Sequence, residues 1–83
     1  MWEPNSAVLT TDLGDELVLM EPVRSVMFSL NETGRLLWNA LPADETALGE
    51  LLARTYDLAP ADALRDVQSL MAALAERGLV QPS

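Results

Sequence analysis

The stretch that most restricts this chain is residues 60–80, PADALRDVQSLMAALAERGLV. Leu64, Val67, Leu70, Met71 and Leu74 recur at spacings of three and four, which lays a broad apolar stripe along one side of a helix. Pro60 suits a first helical position, where no N–H donor is needed, and Asp62 in the first turn faces the positive end of the dipole. Gly78 follows the polar pair Glu76 and Arg77 and reads as the left-handed residue that stops the helix. Such a helix cannot stand alone. The rest of the chain has to cover most of the stripe, and any uncovered edge becomes the wall of a groove.

The N-terminal half supplies that cover with a different period. Residues 1–6 read as loose, because Pro4, Asn5 and Ser6 break any pattern. Residues 7–11 read as a strand carrying Val8, Thr10 and Thr11, and Gly14 permits the turn through Asp12, Leu13 and Asp15. Residues 16–20, ELVLM, form a second strand, broken by Glu21 and Pro22. A third strand starts at Val23 or Arg24 and runs to Leu30, with Val26, Phe28 and Leu30 on one face and Ser25, Met27 and Ser29 on the other. The first face is the core candidate. These strands make a three-stranded antiparallel meander.

The period changes at Asn31, an N-cap followed by Glu32 in the first turn. Leu36, Leu37, Ala40 and Leu41 give one helical stripe with Trp38 beside it, and Pro42 ends it. Asp44 or Thr46 caps a second helix with the stripe Leu48, Leu51, Leu52 and Tyr56. Residues 57–59 link it to the long helix, Leu79 and Val80 pack back on the core, and Pro82 and Ser83 fray. The order is βββααα, an α+β arrangement in one domain over residues 1–83 with its core at 7–80.

Composition narrows the chemistry. There is no histidine, cysteine or lysine, so the usual general base, thiolate ligands and Ser–Lys pairs are missing. Ser25, Ser29, Thr33 and Thr46 therefore have no activator, and the expectation is a protein that is not an enzyme and takes no cofactor or metal. The carboxylates Asp12, Asp15 and Glu16 read as solvated turn charge, in a loop too short for an EF-hand. Residues 31–35 read as a capped helix start in which Gly34 allows close packing. Thirteen acidic residues against five arginines give a net charge of −8, which repels nucleic acid and anionic membranes. No apolar run spans a bilayer and no signal peptide is evident, so the expected location is cytoplasmic.

A binding role has one structural candidate. The third strand begins with Arg24 and Ser25, which suit an exposed edge, and an open edge beside an apolar helix flank is where an extended peptide adds as a further strand.

The residues just read resemble a known family. The block LNETGRLLW at 30–38 looks like its LNETG-x-hydrophobic-hydrophobic-W helix start. Tyr56-Asp57, Asp66-Val67, Leu70, Leu74 and Gly78-Leu79-Val80 match its YD…DV…L…L…GL(V/I) tail. The family is the PqqD-like proteins, also called RiPP recognition elements, and the match runs from about Val8 to Val80. Gly49, where relatives more often carry a polar helix former, is a departure, as is a groove with few aromatics beyond Phe28.

The resemblance implies a winged helix-turn-helix that binds the leader of a ribosomally made precursor peptide and catalyses nothing. The leader would lie along Arg24, Ser25, Val26, Met27, Phe28 and Ser29, with pockets against Leu64, Val67, Gln68 and Met71. The implied partners are the leader peptide and a processing enzyme, a leader peptidase if the pathway is lasso-peptide biosynthesis. The alternative is a precursor carrier in pyrroloquinoline quinone synthesis. A winged-helix DNA regulator shares the helix order, but Asp62, Asp66 and Glu76 offset Arg65 and Arg77 on the helix that would read bases.

Overall fold

A computed structural model describes residues 1–83. Eight elements follow in order: β1 (Trp2–Pro4), β2 (Leu9–Asp12), β3 (Leu17–Glu21), β4 (Val26–Leu30), α1 (Glu32–Asn39), α2 (Glu45–Tyr56), α3 (Pro60–Glu76) and β5 (Val80–Pro82). The expected meander is present as an antiparallel sheet in the order β2-β3-β4, followed by three helices. In its register Leu19 faces Phe28 and Leu17 faces Leu30. Leu17, Leu19 and Leu30 are buried from the sheet side.

The helices close over that face as their sequence signals require. Asn31 Oδ1 accepts the Gly34 N–H at 2.9 Å, and Asp44 Oδ1 accepts the Ala47 N–H at 2.7 Å, so each side chain satisfies a donor that the first turn leaves free. Asp57 ends α2 in the left-handed region at φ 54°. α3 ends with the Leu79 N–H donating to the Leu74 carbonyl at 2.9 Å, while Gly78 takes φ 73°. Leu37 and Trp38 from α1, Leu48 and Leu52 from α2, and Ala63, Val67, Met71 and Leu74 from α3 complete the core with Leu79 and Val80. Each large side chain so buried is worth roughly 1.5–3 kcal/mol of transfer free energy.

Three expectations need correction. The two ends of the chain are not loose, because β1 pairs antiparallel with β5 in a second, two-stranded sheet. Trp2 also exchanges backbone hydrogen bonds with Ala43 at 2.8 and 3.0 Å and packs on the core. Asn5 fastens the next segment by accepting from the Ala7 N–H and donating to the Gly78 carbonyl. Second, Arg24 and Ser25 do not belong to the third strand. The buried Glu21 accepts the N–H groups of Val23 and Arg24 at 3.0 and 2.8 Å, and Ser25 stands at φ 56°, so 22–25 is a tight turn. Third, Asp12 is not merely solvated turn charge; it is ion-paired with Arg35 of α1.

Candidate functional site

β4 is an edge. β3 pairs with one side of it, and no strand covers the other. In an antiparallel ladder every second residue of an edge strand turns its N–H and C=O away from its partner, so β4 presents unsatisfied backbone groups. The open side faces a cleft of about 630 Å³. One wall is Phe28, Ser29 and Leu30, continuing into Asn31, Thr33 and Gly34 at the start of α1. The opposite wall is the flank of α3 carrying Asp66, Ser69 and Leu70, and Leu37 and Leu52 form the floor. Gly34 is small for a reason: a Cβ there would stand 3.0 Å from Leu30 Cδ2 and press on the side chain that shapes this wall.

The arrangement of side chains follows from the pleat. Val26 and Phe28 are half-buried and turn towards the helices, whereas Met27 and Ser29 are exposed on the outer face, where Ser29 Oγ donates to the Glu16 carboxylate. Arg77, one turn beyond Ala73 on the same flank of α3, holds its guanidinium carbon 4.8 Å from the centre of the Phe28 ring. Its Nη1 also donates to the Ala73 carbonyl at 3.2 Å. Arg35, by contrast, is committed. Its Nε and Nη2 grip Asp12 at 3.1 and 2.8 Å. The hydrogen bonds from Arg35, then that from the Gly14 N–H, hold the Asp12 carboxyl below its ordinary range, and the same contact raises Arg35.

Of the ten residues expected at a peptide site, the structure brings only part together. Val26, Met27, Phe28 and Ser29 lie on the open strand. Arg24 and Ser25 sit in the preceding turn, and Arg24 lies against Gly78. Val67 and Met71 are fully buried in the core and reach no groove. Leu64 faces α2, where a Cβ added at Gly49 would stand 3.5 Å from its Cα, and Gln68 is exposed outside the cleft. The flank that does face β4 carries Asp66, Ser69, Leu70 and Arg77. The signal that could have found it was Gly49 itself, since a helix glycine marks where another helix comes close.

No group of three or more His, Cys, Asp or Glu side chains is placed to hold a metal, and no helix is long and apolar enough to cross a membrane. No curated protein matches the sequence significantly. Two solved structures share the fold closely. One is described as TbiB1 in complex with the TbiA(beta) leader peptide, with a TM-score of 0.90 and 22% identity over 98% of this chain and 96% of that one. The other is lasso peptide synthetase B1 complexed with the leader peptide, with a TM-score of 0.86 and 22% identity over 98% of both chains. The sequence itself matches the family model of coenzyme PQQ synthesis protein D (PqqD) over residues 16–80, from the residue before β3 to the first residue of β5, and the chain therefore belongs to the PqqD family.

Proposed function

We propose that residues 1–83 act as a single recognition domain that binds the leader of a ribosomally made precursor peptide by strand addition. The observation that carries this reading is the unpaired edge of β4 facing the Leu70 flank of α3 across an open cleft. Backbone bonds to β4 supply generic affinity, and the cleft takes alternate side chains of the peptide. Held there, the precursor is presented to a processing enzyme at raised effective concentration. Both similar structures hold leader peptides, and one is a lasso peptide synthetase B1, which supports a lasso-peptide pathway; a leader peptidase is the partner in this reading. The family description favours a second reading, in which the cargo is the precursor of pyrroloquinoline quinone. In either, the domain works in the cytoplasm as an adaptor and leaves the peptide chemically unchanged, in keeping with a chain that lacks His, Cys and Lys.

The test is a titration with the leaders of precursors encoded near the gene, one pathway against the other. Binding should protect amide protons between Val26 and Leu30, and backbone N-methylation at alternate leader positions should abolish it. Mass spectrometry should show the precursor intact. Amide shifts confined to the hairpin tip at Asp12–Glu16, or a precursor cleaved by this chain alone, would refute the reading.

A further inference from the structure

The flank of α3 beside the cleft is electrically polar along its length, with Asp66 lining the cleft and Arg77 over Phe28 next to it. α3 and β4 run in opposite directions, since Gly78 at the end of α3 lies against Arg24, just before β4 begins. Arg77 therefore stands at the Phe28 end and Asp66 towards the Leu30 end, where it lines the wall with Ser69. Neither makes an ion pair within the chain; the pairs that form are Arg35 with Asp12 and Arg65 with Asp62. A guanidinium with no acidic partner over an aromatic face, in a molecule of net charge −8, is a local exception to a field that otherwise repels anions. The guanidinium carbon lies 4.8 Å from the Phe28 ring centre and Nη1 donates to the Ala73 carbonyl, which leaves the remaining N–H groups for a carboxylate.

We propose that Arg77 and Asp66 read the charge of the bound peptide and so fix its direction and register. This rests on the peptide-binding reading given above. The eleven helical rises from Asp66 to Arg77 span about 16 Å. An extended peptide covers that distance in about five residues, and because its side chains alternate faces the spacings that turn both charges towards α3 are about four or about six. The ligand is accordingly an extended segment with an acidic side chain at the Arg77 end and a basic one on the same face, about four or six residues away, at Asp66. A strand antiparallel to β4 enters at Leu30 and leaves at Val26. Its basic residue thus comes first in sequence and its acidic residue second. A peptide with the order reversed, or shifted by one residue along β4, meets like charge at both ends or presents its charges to the wrong face.

The experiment is a display selection with random 15-residue peptides against three forms of the full chain. These are the parent, the charge-swapped Asp66→Lys/Arg77→Glu variant, and Leu70→Asp as a blocked cleft. Both swapped positions are exposed, and circular dichroism confirms that each form is folded. The parent should enrich Lys or Arg followed about four or six residues later by Asp or Glu, and the swapped form the opposite order. Replacing the acid of an enriched peptide by its amide should weaken parent binding about tenfold, with no further loss in Arg77→Gln. Enrichment without a charge pair at fixed spacing, or the same order in parent and swapped forms, overturns the proposal. A parent that enriches nothing beyond Leu70→Asp overturns the peptide-binding reading, and this proposal with it.

Discussion

α3 has two flanks, and they differ in what faces them. The Leu64 flank meets α2 across a smaller cavity of about 430 Å³, and a Cβ added at Gly49 would stand in ordinary contact, 3.5 Å from the Leu64 Cα. Both walls there are helices whose backbone groups are satisfied internally. The Leu70 flank meets β4 across the larger cleft, and one of its walls is a row of backbone donors and acceptors without partners. Both flanks offer apolar side chains to solvent. Only the second can bond a main chain, so the neighbour of an apolar stripe, more than its hydrophobicity, decides whether it becomes a peptide site.

The largest effect should come from placing a charge on each flank in turn. Leu70→Asp sets a carboxylate in the cleft beside Asp66 and should weaken leader binding at least tenfold, about 1.4 kcal/mol, while the melting temperature stays close to the parent's. Leu64→Asp should do the reverse, losing about 1–3 kcal/mol of stability in urea unfolding while the folded fraction binds leader normally. Loss of binding from a stable Leu64→Asp protein would break the distinction between the flanks.

Paired glycine substitutions give a smaller effect of opposite sign. In Gly34→Ala the new methyl meets Leu30 at 3.0 Å, which should cost about 1–3 kcal/mol and disturb the cleft wall. In Gly49→Ala it meets only ordinary contacts from 3.5 Å outward, and relief of glycine's helix penalty should leave stability unchanged or up to about 1 kcal/mol higher. Chemical denaturation of the two variants side by side checks both.

The smallest effect belongs to Asp12. Its folded-state carboxyl lies below the ordinary value of 3.8, so its contribution is complete above that value and disappears as pH falls through the lowered one. Asp12→Asn should therefore be slightly less stable than the parent near about pH 6, and the two should converge in acid below 3.8. Unchanged leader binding in this variant would keep the hairpin tip separate from the cleft.

Much of this architecture is legible in the residues. The alternation of Val26, Phe28 and Leu30, the caps Asn31 and Asp44, and the start and stop of α3 at Pro60 and Gly78 are local signals with local causes. The pairing of β1 with β5 is not local. Two three-residue strands, each with a proline, meet across nearly the whole chain, and Trp2 was the sole hint that the start is anchored. The site was half legible for a similar reason. Periodicity places Leu64, Val67, Leu70 and Met71 on one broad stripe, but it does not say which neighbour covers which part. Val67 and Met71 went to the core and Leu64 to α2, leaving Leu70 beside β4 with two charged residues that an apolar pattern passes over.

The pairing of the chain's two ends makes the domain a cassette. Trp2 lies opposite Pro82, and the Ser83 N–H donates to the Met1 carbonyl at 2.9 Å. Facing residues in such a ladder are about 5 Å apart, so both ends can be spliced into a single surface loop of a host protein without stretching either. None of the residues lining the cleft belongs to β1 or β5. The splice and the cleft are thus independent, so inserting this fold at one point of a host leaves the open edge of β4 and the flank of α3 facing it untouched.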